Sequence, residues 1–168
     1  MASTYHKAIY QIPFPSPPID ALKKQWHRMR GDDSESDLWP QYGGDVETWT
    51  IKDTDEHSVA HDFWSQFERQ FNLTERDRPP QYYNFGPDSG IPIHKDPVSL
   101  AWIAVAVVGT QPIEFFDDDK NKVYETQYQF ALVNSKQYHR VDVRGGHRVL
   151  LRKIFTETSY ETLFQLLN

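Results

Sequence analysis

Between residues 81 and 155 this chain offers eight short β-type stretches with no helical stretch between any two of them, and that density limits its fold more than any other feature. The stretches are residues 81–85, 91–94, 100–108, 112–116, 122–128, 129–133, 139–143 and 148–155. Turn chemistry separates them: Gly86-Pro-Asp-Ser-Gly90, Gly109-Thr110, the run 117–121 and Gly145-Gly146. Short strands in such number and at such spacing fold as a sandwich or jelly roll.

The first 80 residues differ in character. Residues 8–14 read as a strand stopped by Pro13, Pro15, Pro17 and Pro18, and residues 19–30 as a short helix with Asp20 in its first turn. Residues 31–44 are polar and turn-rich, a surface loop, and residues 46–52 alternate as a strand. Val59, Phe63, Phe67 and Phe71 recur at helical spacing, which predicts a second helix over residues 57–72. At the other end, residues 159–167 predict a helix that returns its Leu and Phe side chains to the sheet. The expectation is one domain over residues 1–168, mainly β, divided into an N-terminal α/β cover (1–80), a jelly-roll catalytic core (81–155) and a C-terminal helix (156–168).

Composition narrows the function. Hydrophobic content is a lean 38%, but 5 Trp, 9 Tyr and 10 Phe supply enough area for a core. The net charge of −6 argues against a dedicated nucleic-acid binder, leaving only a local basic patch around Arg140, Arg144, Arg148, Arg152 and Lys153. Cysteine is absent, which excludes thiolate zinc sites, iron–sulfur clusters and cysteine nucleophiles. The longest apolar run, residues 100–108, is too short to span a bilayer, and no signal pattern opens the chain, so the cytoplasm is the expected compartment.

Chemistry concentrates at Ile91-Pro-Ile-His94-Lys-Asp96-Pro and Gln137-Tyr-His139-Arg. His94 and Asp96 stand two apart at a strand end, so their side chains share a face. A jelly roll brings His139 to them from a distant strand. Two imidazoles and one carboxylate form the facial triad of a non-haem iron(II) site, which leaves coordination positions open. Alone, His-x-Asp is an ordinary strand-to-loop edge; the order and spacing of the whole set are more specific. Arg148, nine residues past His139, is a candidate carboxylate clamp, with Arg152 on the same strand face as the alternative. The spacing from His139 favours Arg148.

His94-x-Asp96, His139 and Arg148 resemble the His-x-Asp…His…Arg motif of the Fe(II)/2-oxoglutarate-dependent dioxygenases, and Ala131 to Leu151 is similar to the ending of the core in small hydroxylases of that group. The resemblance covers about half of the chain, residues 81–155. It implies a double-stranded β-helix in which His94, Asp96 and His139 hold Fe(II) and take 2-oxoglutarate and O2. The products would be succinate, CO2 and a hydroxylated small metabolite, amino acid or peptide side chain. The resemblance also implies groups near Tyr83 that hydrogen-bond the co-substrate; alternation lets only one of Tyr82 and Tyr83 face inward, and Tyr83 is the candidate.

Two other readings share the jelly roll. A cupin-like metal enzyme would use more histidine ligands and need no arginine. A non-catalytic structural or interaction module would not need His94, Asp96 and His139 to converge. Two further features were set aside. His57 and His61 lack the intervening glutamate of a metalloprotease helix, and Asp117-Asp-Asp119 lacks the glycine and terminal glutamate of a calcium loop.

Overall fold

Strand alternation sorts the apolar residues of this chain into two layers, and that sorting builds the site. The computed structural model describes residues 7–30, 36–38, 46–50, 58–76, 78–86, 90–141 and 146–168, with backbone alone for residues 30, 36–38 and 46–50. The described elements run β1 (Ile9–Gln11), α1 (Ile19–Arg30), β2 (Ser36–Leu38), β3 (Val46–Thr50), α2 (Val59–Gln70), β4 (Gln81–Phe85) and β5 (Ile91–His94). They continue with β6 (Ala101–Val108), β7 (Gln111–Phe116), β8 (Lys122–Tyr128), β9 (Phe130–Val133), β10 (Tyr138–Val141), β11 (Arg148–Phe155) and α3 (Tyr160–Leu167).

Two antiparallel sheets result, one of seven strands in the order β1-β9-β6-β11-β4-β3-β2 and one of four in the order β5-β10-β7-β8. From β4 onward the chain crosses between sheets at every connection except the β7–β8 hairpin. This is the expected mainly β, jelly-roll architecture, and the crossings bring residues far apart in sequence to one mouth. The N-terminal residues do more than cover the core: β1 pairs with β9, and β3 with β4, in the seven-stranded sheet. β2 is a strand within the stretch expected to be loop; it pairs with β3, which extends the sheet edge.

The outer face of the large sheet is covered by the helices. Tyr82, Ile103, Val105, Leu132, Val149, Leu151 and Phe155 meet Trp26, Trp64, Phe67 and Leu163 there in one cluster. α2 keeps its apolar stripe inward, with Ala60, Phe63, Trp64 and Phe67 buried. It starts at Val59, two residues later than expected, because the Ser58 hydroxyl caps it, accepting a hydrogen bond from the His61 backbone N–H. Ser159 caps α3 in the same way through Thr162 N–H. Full burial of each large aromatic in this layer stabilises the fold by about 1.5–3 kcal/mol.

The inner layer lies between the sheets and contains Tyr83, Phe85, Ile91, Trp102, Ala104, Ile113, Phe115, Tyr128 and Leu150. Neighbouring residues on one strand therefore serve opposite faces. Tyr82 points outward and donates its hydroxyl to Gln25 Oε1 at 2.8 Å, whereas Tyr83 packs in the inner layer.

Strand alternation also divides the cations of β11, where the sequence left a local basic patch open. Arg148 is fully buried and Lys153 is 2% exposed, facing opposite layers, while Arg140 is paired with Glu114. Arg144 and His57 lie outside the described residues. Among the described residues, no helix is long and apolar enough to cross a membrane.

Candidate metal centre

β10 pairs with β5 so that His139 stands directly opposite His94. Asp96 follows two residues after His94, and its backbone N–H donates to Ser135 O at 3.0 Å, which ties the ligand loop to the segment before β10. The result is three donor groups, one each from His94, Asp96 and His139, all within 4.8 Å of one another. His94 Nε2 stands 3.0 Å from Asp96 Oδ1, and His139 Nε2 stands 3.5 Å from the same oxygen. Two ligands at about 2.1 Å from one ion stand roughly 3.0–3.4 Å apart for bond angles between octahedral and tetrahedral. The observed separations have that size.

Proton placement points the same way. His94 Nδ1 donates to Pro92 O at 2.7 Å and His139 Nδ1 to Gln137 O at 2.8 Å. A carbonyl only accepts, so Nδ1 carries a proton in both rings and Nε2 is the atom that faces the Asp96 carboxylate. Three electron-pair donors facing one point need a cation between them, a proton or a metal. The electrostatics report the same demand. Burial works to raise the Asp96 pKa, but the hydrogen bonds from His139 and His94 outweigh it, aided by the charges of His139 and Arg152. The carboxyl is held well below the usual range. Burial works to lower the His94 pKa, and its hydrogen bonds to Asp96 and Pro92 O carry it upward instead. These residues fit a divalent metal.

The three groups line a cavity of about 190 Å³ whose wall also includes Tyr83, Phe85, Trp102, Gln111, Tyr128 and Arg152. The Arg152 guanidinium lies 4.0 Å from the Tyr83 ring centroid and 5.3 Å from that of Trp102, held between the two rings. Arg148, the candidate that spacing favours, does not line the cavity. It is buried in the same layer with its guanidinium 5.1 Å over Phe85. Burial pushes the Tyr128 hydroxyl pKa up, and the charges of both Arg152 and Arg148 work against that rise. The Tyr83 hydroxyl donates to Gln81 Oε1 at 3.0 Å.

Gln111, Trp102 and Tyr128 were not singled out from the sequence. No motif marks them; only the pairing of β7 with β8 and of β6 with β11 brings them to the wall. His147 is exposed and meets Asn84 Oδ1 at 2.7 Å through Nε2, outside the cavity as strand alternation predicts.

No protein-family model matches the chain, and no curated protein matches it by sequence. Solved structures do match it. A Pseudomonas putida prolyl-4-hydroxylase superposes with a TM-score of 0.60 at 15% identity, over 90% of this chain and 93% of that one. A prolyl hydroxylase from Trichoplax adhaerens, in complex with a peptide fragment of a hypoxia inducible factor, gives 0.64 at 12% identity, over 89% and 83%. The non-heme alpha ketoglutarate dependent epimerase SnoN, from nogalamycin biosynthesis, gives 0.60 at 11% identity, over 88% and 76%. At these identities the likeness establishes the fold, one shared by hydroxylases and by a non-heme alpha ketoglutarate dependent epimerase.

Proposed function

We propose that this protein is an Fe(II)- and 2-oxoglutarate-dependent oxygenase that hydroxylates a small metabolite, an amino acid or a peptide side chain. The observation that carries the reading is the convergence of His94 Nε2, His139 Nε2 and Asp96 Oδ1, with both Nδ1 protons committed to backbone carbonyls. When bound, the iron centre with 2-oxoglutarate and O2 supplies oxidative decarboxylation to succinate and CO2, coupled to hydroxylation of a C–H bond.

The roles of the chain's own residues follow from their surroundings. His94, His139 and Asp96 hold the metal on one face and leave the cavity side open. Pro92 O and Gln137 O hold the Nδ1–H of each imidazole, which leaves Nε2 of both rings as the atom facing the metal position. Arg152 carries its positive charge in the same cavity and holds a carboxylate of the co-substrate, with Arg148 deeper in the same layer as the second cation. Tyr83 stacks on Arg152 and so orients the guanidinium. Trp102 and Phe85 line the cavity with apolar surface and exclude water from the reacting end.

A cupin-like enzyme has no use for the cavity arginine, and a purely structural module has no use for three converging donors. The deciding experiment is anaerobic titration of the apo-protein with Fe(II) and 2-oxoglutarate, read by the visible charge-transfer band of the chelated oxoacid. The band is expected in the wild type and absent in His139→Ala. Iron binding without a band would favour the cupin-like reading, and no iron binding would favour the structural module.

A further inference from the structure

Most of the cavity wall is apolar, and the buried side-chain atoms of the described lining residues that lack a hydrogen-bond partner are all donors. Trp102 Nε1, Gln111 Nε2 and Arg152 Nε belong to lining residues and are buried without a hydrogen-bond partner. Gln111 is 2% exposed, so bulk water does not relieve it. Asp96 is the one acidic side chain among the described lining residues, and its carboxylate faces the two histidines. A cationic substrate would meet no counter-charge in this wall, whereas an acceptor-rich or anionic one meets several donors.

The inner donors are accounted for by the co-substrate, whose two carboxylates and keto group are all acceptors. Arg78 is left over. It stands in the segment leading into β4, is exposed, lines the same cavity and makes no hydrogen bond or ion pair with any described residue. By contrast Arg76, two residues earlier, is paired with Glu68 at 3.1 Å. Lys136, outside the lining, holds the backbone of two lining residues, its Nζ donating to Asp96 O at 2.8 Å and to Pro97 O at 3.3 Å. Val98, 58% exposed, and Pro97 supply apolar surface to the same lining. A cationic, apolar mouth on a chain of net charge −6 is a local feature that the overall composition opposes.

We infer that the oxygenated substrate is a small, mainly apolar carboxylate, whose carboxylate is received by Arg78 at the mouth while its apolar body reaches past Val98 toward the metal. The inference rests on the oxygenase reading and names the substrate class for that same site. An arginine–carboxylate pair formed at a partly desolvated mouth favours the anion over its neutral analogue by about tenfold or more.

The test uses the full chain loaded anaerobically with Fe(II) and saturating 2-oxoglutarate, and three matched probes: 3-phenylpropionate, 3-phenylpropionamide and 3-phenylpropylamine. Dissociation constants come from calorimetry, while the visible band reports whether 2-oxoglutarate stays bound. The expected order is carboxylate tightest and amine weakest. Arg78→Glu should weaken the carboxylate at least tenfold and erase its lead over the amide. Lys24→Glu, the same charge change on the exposed face of α1, should keep the wild-type order. A carboxylate that binds no tighter than the amide, that is indifferent to Arg78→Glu, or that displaces the band overturns the inference. No band in the wild type overturns the oxygenase reading and this inference with it.

Discussion

Replacing Arg152 by methionine separates the metal from the co-substrate, because the two respond in opposite directions. The guanidinium is held between the Tyr83 and Trp102 rings and is partly exposed to the cavity, so the variant keeps most of the stem and loses only the charge and its donors. A hydrogen bond to a charged group contributes roughly 1.5–3 kcal/mol. The Kd for 2-oxoglutarate should therefore rise by about 10- to 150-fold. Metal affinity should not fall with it. Arg152 is one of the charges that lower the Asp96 pKa and it opposes the charging of His94, so it acts as a like charge toward any divalent ion held by these residues. Its removal leaves Fe(II) binding unchanged or tighter.

The assay is the same anaerobic titration, run with Fe(II) first and 2-oxoglutarate second, on wild type, Arg152→Met and Arg148→Met. The band midpoint should move far in Arg152→Met and by much less in Arg148→Met. Two results would refute the reasoning. One is an unmoved midpoint in Arg152→Met with a large shift in Arg148→Met, which would return the clamp to the residue that spacing favours. The other is a parallel loss of Fe(II) affinity in Arg152→Met, which would make the arginine a structural support of the triad.

Three further outcomes are expected. Fe(II) or Co(II) at 100 times its Kd should stabilise the fold by about 2.7 kcal/mol and raise the thermal midpoint by roughly 5–11 °C, a shift absent in His139→Ala; calorimetric scans with and without chelator check it. Glu75 accepts from the backbone N–H groups of Thr156, Glu157 and Thr158 and from both threonine hydroxyls. Burial works to raise its pKa, but these bonds lower it on balance, so its contribution is complete above the ordinary glutamate range and fades as pH falls through the lowered value. Glu75→Gln should lose about 1–3 kcal/mol in urea melts at pH 7 and lose progressively less as the pH drops below ~4.3; a constant difference across that range would count against it. Lys153, 2% exposed, meets Glu68 at 3.2 Å under α2, so Glu68→Ala strands a buried ammonium and should cost about 3–5 kcal/mol, most of it recovered when Lys153→Met is added.

Much of the fold was legible because its signals are local. From β4 onward glycine and proline punctuation set the described strand limits to within a residue or two, whereas β1 ends at Gln11, three residues short of the expected 8–14; the phenylalanine spacing gave α2. The convergence of His94, Asp96 and His139 was legible for the same reason at one remove: a shared strand face for two of them and a strand-opening histidine for the third. What escaped depends on which strand lies beside which. β2 is too short and polar to announce itself and exists as a strand by pairing with β3. Gln111 and Trp102 become cavity donors through sheet order, which a linear pattern does not carry. Of the cations that left a local basic patch open, alternation on β11 sends Arg148 and Lys153 to opposite interiors, while Arg140 on β10 pairs with Glu114.

The two arginines of β11 show how far a periodicity argument reaches. Arg148 and Arg152 are four apart, and an ideal strand gives them one face and one line of sight. The ladder between β11 and β6 shifts register between Val149 and Leu150, so that Val149 pairs with Val108 and Leu150 with Ala106. An irregularity of this kind bends the strand and adds twist, and it falls between the two arginines. Arg148 then lies deep over Phe85 and Arg152 stands in the cavity wall, although both keep the inner face that alternation assigns. On the opposite face, Val149, Leu151 and Phe155 pack against the helices while Lys153 pairs with Glu68. A one-residue slip of β11 would bring Lys153 to the cavity and drive Arg152 into the aromatic layer under α2. The apolar residues of the helical layer thus hold the register that keeps a guanidinium, rather than an ammonium, beside the triad, and the planar fork of that guanidinium is what matches a carboxylate.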